Sequence, residues 1–487
     1  MTQAKVLVVV FDGLRADHVT PELAPTIATF RDNNIHVANT ASAFPSETRV
    51  QVSTVMTGHP AAGHGIMANA FYDRALGFDG PMDTSDDEKM GKAAKIYGRL
   101  MTSHHLGELL WGAGKKFAAV TTGKIGNARL LAGRAQELGQ PVLSIWGDGC
   151  STYGAKFAEV EKQFGAVPKT AFPNVGVTDW ATKVLLEHTL PVHKPDVAVL
   201  WLNDPDMTYH YAGTESSQAK EAIAGCDAAF GCILDWWRAE GRADGWHIVA
   251  MSDHGHVTVT RQINIIEALQ AEGLSAGLAL GPDVDYAVKR SYSAQISVRD
   301  RKPELVDRLI ATLRNCDWVG PIFARERFGS ETGALPLSVI NYGHPRAADV
   351  AFTLWASEQA AEGGLPGICF ADNDDIPLGG GMHGGIQKAE LNHCFFMGGD
   401  KFRTATKVET PSGHIDLAPT ILNLLGMEAD FLMPGRALSE AMIDGGTAPE
   451  VDTLIHQMGK DGYQQEVTIS RVASAKLPYL RYGARTR

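Results

Sequence analysis

Apolar runs alternate with amphipathic stretches along most of this chain. KVLVVVF (5–11), FAAVTT (117–122), VAVLWLN (197–203) and WHIVAMSDHG (246–255) carry continuous apolar runs of strand length. Such runs predict strands buried on both faces. Between them lie helical patterns. SETRVQVSTVMTG (46–58) predicts a helix entered from a turn, and SSQAKEAIAGCDAAFGCILDWWRAEG (216–241) a long helix. HIDLAPTILNLLG (414–426) predicts a late helix with a glycine stop. Buried strands separated by helices predict an α/β fold, a mostly parallel central sheet flanked by helices on both faces.

Residues 261–379 have another texture. INIIEALQAEG (263–273), YAVKRSYSAQISVRD (286–300) and KPELVDRLIATLRNCDWVGPIFA (302–324) predict a small α+β cap domain inserted into the core. The core then comprises 1–260 and 380–446, with GGGMHGG (379–385) returning the chain to it. Residues 447–487 form a C-terminal extension. Its basic charges read as a solvated tail, with a homo-oligomer contact as the alternative.

Composition narrows the class only modestly. With 487 residues, 44% apolar and 21% charged, the chain can bury a large core. A formal net charge of −12 argues against a dominant nucleic-acid surface. The six cysteines show no metal-ribbon spacing and read as reduced thiols. No apolar run reaches the ~20 residues of a membrane span, so no membrane partner is expected. The run at 5–11 is too short for a signal peptide core, and a cytoplasmic location is expected.

Chemistry concentrates just beyond the predicted strands, where open parallel sheets place their ligands. Five motifs stand out: FDG (11–13), PSETRVQVSTVMTG (45–58), PDMTYHYAG (205–213), SDHGH (252–256) and GMHGG (381–385). They supply Asp12, Thr48, Asp206, His210, Asp253, His254 and His383. Three carboxylates, three imidazoles and a hydroxyl suit two zinc-like cations and an activated nucleophile. Asp206 and His210, four apart, share one face of a helical turn. Asp253 and His254 end an apolar strand, an odd place for charge unless they bind something. Each motif alone has a plainer meaning: an Asp-Gly turn at Asp12, or a helix cap at Thr48 or Ser46. The joint order of all five sets those meanings aside.

That order (DG, T-x9-G, D-x3-H, DHG, HG) resembles the alkaline phosphatase superfamily. Within it, the chain is most similar to the type I phosphodiesterase/nucleotide pyrophosphatase branch. The resemblance implies one zinc held by Asp206, His210 and His383, and another by Asp12, Thr48, Asp253 and His254, with manganese as the alternative metal. GIMANAFYD (65–73) matches a branch segment and implies that Asn69, with the Thr48 backbone N–H, holds a phosphate oxygen. Two departures from the pattern are Gln51, where many relatives have Asn, and Phe44-Pro45 preceding Thr48. The spacing to Gly58 selects Thr48 over Ser46 as nucleophile.

The expected reaction is cleavage of a phosphodiester or nucleotide pyrophosphate through a covalent phospho-threonine. The alternative is C–P hydrolysis, as in the similar phosphonoacetate hydrolases. For that alternative, TTGKIGNARLLAG (121–133) supplies Lys124 and Arg129 as anion readers. Either way, the expected partner is a small phosphoryl or phosphonyl molecule.

Overall fold

The computed structural model describes residues 3–77, 80–152, 156–328, 330–428 and 432–487. Its centre is an eight-stranded sheet. The strands are β1 (Lys5–Phe11), β2 (Ile35–Val37), β3 (Phe117–Thr121), β4 (Val142–Ser144), β5 (Val197–Leu202), β6 (Trp246–Met251), β7 (Phe395–Gly398) and β8 (Thr406–Val408). Their spatial order is β8-β2-β7-β6-β1-β5-β3-β4. β1 pairs in parallel with β5 and β6, and β3 with β5 and β4. Only β7 runs against its neighbours.

β1 shows why this sequence makes a central strand. Val6, Val8 and Val10 enter the core on one face of the sheet. Leu7, Val9 and Phe11 enter the core on the other. A strand covered on both sides has no use for polar alternation. The first polar side chain after this run, Asp12, therefore falls at the strand's carboxyl end.

Five helices position the site: α1 (Thr48–Thr57), α2 (Ile125–Ala132), α3 (Asp206–Ala212), α4 (Ser217–Trp236) and α5 (Leu417–Leu424). α1 explains the T-x9-G spacing. The helix begins at Thr48, and Gly58 closes it at φ 67 with its N–H on the Thr54 carbonyl. α4 stops short of the predicted end, its last turn relaxing into a π-helical segment, Trp237–Gly241.

The segment between β6 and His383 carries its own six-stranded sheet and a hydrophobic cluster around Val288, Ile296, Leu309 and Ile322. The expected limits of the insertion, 261 and 379, fall at a four-stranded sheet in which Val257–Gln262 pairs with Pro366–Ala371 and Gly381–Met382.

The C-terminal segment corrects one expectation. It is not a solvated tail but a three-stranded antiparallel sheet, Val451–Lys460, Tyr463–Val472 and Tyr479–Arg485. Its middle strand buries Tyr463, Gln465, Val467 and Ile469. The Gln465 amide accepts from Ile322 N at 2.7 Å and donates to Ile322 O at 3.0 Å. The basic side chains Arg481 and Arg485 bind backbone carbonyls of Thr40 and Val319 instead of facing water. All six cysteines are free thiols. Among the described residues no helix is long and apolar enough to cross a membrane.

Candidate active site

The chemical residues gather at the carboxyl edge of β1, β5 and β6. Asp12 leaves β1; Asp206 opens α3 just beyond β5; Asp253 and His254 follow β6. Thr48 stands at the head of α1. His383 arrives on the glycine-rich loop, which lies flat against α3. A Cβ on Gly380 would come within 2.4 Å of the His210 carbonyl, so this approach requires glycine.

Four histidines point into this edge with one shared arrangement. The Nδ1 atoms of His210, His383 and His254 face the carbonyls of Gly381, Ser46 and Gly255 at 2.7, 2.7 and 3.1 Å. Nδ1 of a fourth, His256, faces the Gly13 carbonyl at 3.2 Å. A carbonyl only accepts, so each neutral ring carries its proton on Nδ1 and presents a bare Nε2 lone pair inward.

Those lone pairs meet carboxylates. Asp206 Oδ1 lies 3.2 Å from His210 Nε2 and 3.3 Å from His383 Nε2, and the two nitrogens are 3.2 Å apart. A second group surrounds His254 Nε2, with Asp253 Oδ2 at 3.3 Å, Thr48 Oγ1 at 3.3 Å and Asp12 Oδ1 at 3.6 Å. The stacked rings of His254 and His383, 3.6 Å between centroids, make the two groups neighbours. All seven residues chosen from the sequence thus come together.

Electrostatics tests whether a cation fits. Asp12 Oδ1, Asp206 Oδ1 and Asp253 Oδ2 are buried with no hydrogen-bond donor. Burial, reinforced by the charges of Asp253 and Asp206, pushes the Asp12 carboxyl well above its ordinary range. Burial likewise raises Asp253, with Asp206 adding to it. Burial also opposes the charge on Asp206, but with no cation bound the attraction of protonated imidazole, His210 first, holds its carboxyl well below the usual value. Burial and the neighbouring His383 hold His254 neutral. Converging acceptors without donors are costly in a dry site. Divalent cations would satisfy them, and nitrogen–oxygen sets of this kind suit zinc. The remaining acceptor atoms are held in place. Trp201 Nε1 donates to Asp12 Oδ2 at 2.9 Å, and Gly13 N and His254 N donate to Asp253 Oδ1 at 2.9 and 3.0 Å.

The loop before Thr48 is tightly tied. Ser46, the alternative nucleophile, is fully buried. Its Oγ donates to Gly385 O at 3.1 Å and accepts from Gly384 N at 2.9 Å, so it anchors the His383 loop. Gln51 braces the same turn, donating to Ala43 O and Pro45 O at 2.8 and 2.9 Å. Thr48, half-buried, keeps its hydroxyl towards the cleft beside His254. Asn69 Oδ1 accepts from Arg49 N at 3.0 Å, leaving the amide NH₂ as the group it can offer a ligand. Arg49 supports this arrangement, donating to Asn69 O at 2.5 Å and to Asp83 at 2.7 Å.

A groove of about 300 Å³ opens at Arg49, the residue after Thr48. Arg49, Lys124, Trp146, Phe172, Asn203 and Met207 are among the residues that line it. Trp146 and Phe172 are exposed, 46% and 50%, which is unusual for large aromatics and gives the groove a flat apolar surface. Lys124, at the head of α2, faces the groove. Arg129, one turn on, lies elsewhere: its guanidinium binds Ser85 O and Asp87 Oδ2.

Sequence reasoning passed over two participants. His256 lay in plain sight in SDHGH, but its distance to Asp206, 3.0 Å, depends on how β6 and α3 meet. Glu47, next to Thr48, reads as an ordinary helix-start acid. It is instead buried, accepting from Lys289 Nζ at 2.5 Å, Ser293 Oγ at 2.9 Å and Asn69 N at 2.6 Å.

Comparison with known proteins bears on this geometry. A family model described as Type I phosphodiesterase / nucleotide pyrophosphatase matches residues 6–321. An uncharacterized pyrophosphatase/phosphodiesterase of Schizosaccharomyces pombe is 35% identical over 75 residues, 15% of this chain and 16% of that protein. Ectonucleotide pyrophosphatase/phosphodiesterase family member 7 of Mus musculus is 22% identical over 263 residues, 53% of this chain and 52% of that protein. The chain spans no more than about half the length of these curated relatives. Among solved structures, murine ectonucleotide pyrophosphatase / phosphodiesterase 5 superposes with a TM-score of 0.61 at 18% identity, covering 90% of this chain and 100% of that one. An inactive variant of the same murine protein, in complex with AMP, gives 0.59 at 19% identity over 88% and 96%. At such identities these likenesses speak for the fold.

Proposed function

This chain belongs to the type I phosphodiesterase / nucleotide pyrophosphatase family, and on that footing we propose that it hydrolyses a phosphodiester or nucleotide pyrophosphate through a phospho-threonine at Thr48. The observation that carries this reading is the Thr48 hydroxyl, set 3.3 Å from His254 Nε2 beside the donor-less oxygens of Asp12 and Asp253. Two divalent cations, one at Asp206, His210 and His383 and one at Asp12, Thr48, Asp253 and His254, would lower the pKa of that hydroxyl and neutralise charge on the phosphoryl group and leaving oxygen.

The chain's own residues do the rest. Thr48 loses its proton to solvent and its oxygen attacks phosphorus; the bond to the leaving oxygen breaks, and that oxygen departs with a proton from solvent. Water then attacks the phospho-threonine and releases Thr48. The Asn69 amide, fixed by its bond to Arg49 N, and the Thr48 backbone N–H hold a non-bridging oxygen. An organic substituent of the phosphoryl group would lie in the groove, where Trp146 and Phe172 offer stacking faces. Lys124 in the same groove supports the second reading, a substrate with a further anionic group such as a phosphonoacetate.

A substrate panel with wild type and Thr48→Ala tests this. Nucleoside p-nitrophenyl phosphates should be turned over best, and Thr48→Ala should lower kcat at least ~10³-fold. Full activity in the alanine variant would rule out Thr48 as nucleophile. A strong preference for phosphonoacetate would replace the first reading with the second.

A further inference from the structure

His256 has no role in the chemistry above. It lies two residues beyond His254, is fully buried, and places Nε2 3.0 Å from Asp206 Oδ1. We propose that His256 is a fourth protein ligand of the cation held by Asp206, His210 and His383, which then has three imidazoles and one carboxylate and would meet the substrate oxygen as a fifth ligand. The proposal rests on the two-metal reading of the site.

Three observations carry it. The first is the direction of the lone pair. With Nδ1 on the Gly13 carbonyl, a neutral ring has no proton on Nε2, so a bare nitrogen faces a carboxylate oxygen. Neither His256 Nε2 nor Asp206 Oδ1 has a hydrogen-bond partner, and two acceptors this close call for a cation between them.

The second is metric. Ligand atoms of a tetrahedral zinc shell with bonds of ~2.0–2.1 Å lie roughly 3.3–3.4 Å apart. The separations within the Asp206 group are 3.2, 3.3 and 3.2 Å, and the His256 separation, 3.0 Å, is close to them. Ligand atoms of Asp206, His254, His256 and His383 all fall within 4.8 Å of one another.

The third is the slot that holds the ring. A Cβ on Gly13 would come within 2.5 Å of His256 Cε1, and one on Gly381 within 2.9 Å of Cδ2. Tyr209 closes the slot edge-on at 5.1 Å, its own hydroxyl fixed 2.5 Å from His18 Nδ1. A ring so confined has its Nε2 aimed at one point. The competing geometry, an Nε2–H donating to Asp206, would make His256 a positioning residue and set its Nδ1 lone pair against a carbonyl. An imidazole-rich shell also favours zinc or another transition metal over magnesium or calcium.

Metal binding tests this without reference to turnover. Metal-stripped protein labelled with 15N-histidine is loaded with 113Cd, and couplings from cadmium to Nε2 are counted. Four coupled imidazoles, one of them lost in His256→Gln, are expected. In parallel, zinc is titrated against a chromophoric chelator. The glutamine amide keeps a donor that can reach Asp206 but is a poor zinc ligand, so His256→Gln should weaken one of the two zinc sites at least ~10-fold. Three coupled imidazoles in the wild type, whatever the variant does, overturn the proposal, and so does unchanged zinc affinity in His256→Gln. A wild-type protein that takes up no metal would instead overturn the two-metal reading itself.

Discussion

On the proposed reading Asn69 is the phosphate reader, and its surroundings show how it is set for that role. Its amide has one acceptor and one donor end, and the backbone N–H of Arg49 occupies the acceptor. The backbone around it is held as well, Asn69 N on Glu47 and Asn69 O on Arg49. The donor end is therefore set before substrate arrives, the condition under which such a group stabilises a developing anion. Asn69→Ala should lower kcat by about 10²–10³-fold with a smaller change in KM. A change confined to KM, in steady-state assays on a nucleoside p-nitrophenyl phosphate, would show that Asn69 binds ground state and transition state alike. At this scale the sequence was informative about identity but not about commitment. Ser46 and Thr48 both stand at the start of a helix, and spacing alone favoured Thr48. Burial of Ser46 under the His383 loop separates them physically.

At the scale of elements, the insertion and the nucleophile loop are joined by one buried ion pair. Lys289, from the strand Tyr286–Lys289, meets Glu47 immediately before α1. Burial opposes the Glu47 charge, yet Lys289 holds its carboxyl below the ordinary value of 4.5. A depressed carboxyl contributes stability above its unfolded pKa and loses it as pH falls through the folded value. Removing one partner of such a pair leaves a buried charge. Lys289→Ala should cost about 3–5 kcal/mol in denaturant titration near neutral pH and disturb turnover at Thr48. The double variant Glu47→Gln/Lys289→Met should recover much of the loss. A single variant within about 1 kcal/mol of wild type would show that the pair is not needed to fix the loop. The C-terminal sheet teaches the complementary lesson. From Tyr463 to Ile469 the buried positions of YQQEVTISRV alternate with period two, before a register shift at Thr468/Ile469. Reading the segment by its terminal basic charges obscured a strand pattern that was present.

At the scale of the whole molecule, the site joins parts far apart in the chain. Asp12 and His383 are drawn together with Asp206 and Asp253 across the carboxyl edge of the sheet. Buried carboxylates that repel one another oppose folding until cations are bound, so metal should stabilise the native state by mass action. At zinc about 1,000-fold above its Kd, the gain is about 4 kcal/mol per site. Chelation should therefore lower Tm measurably in calorimetry, and zinc should restore it where magnesium does not. Superimposable melting curves with and without chelator would mean that the cluster does not bind metal in the folded protein.

The sequence by itself determined the strands and helices that carry the site, because continuous apolar runs and helical periodicity are local properties. It also supplied the order of the five motifs, since polar residues placed just after buried strands have few structural reasons to be there. Only the tertiary structure decided which side chains share a point in space. His256 and Glu47 gain their partners from segments dozens to hundreds of residues away, Asp206 for one and Lys289 for the other. No local pattern encodes such distances; they follow from how the sheet, the glycine-rich loop and the insertion pack together.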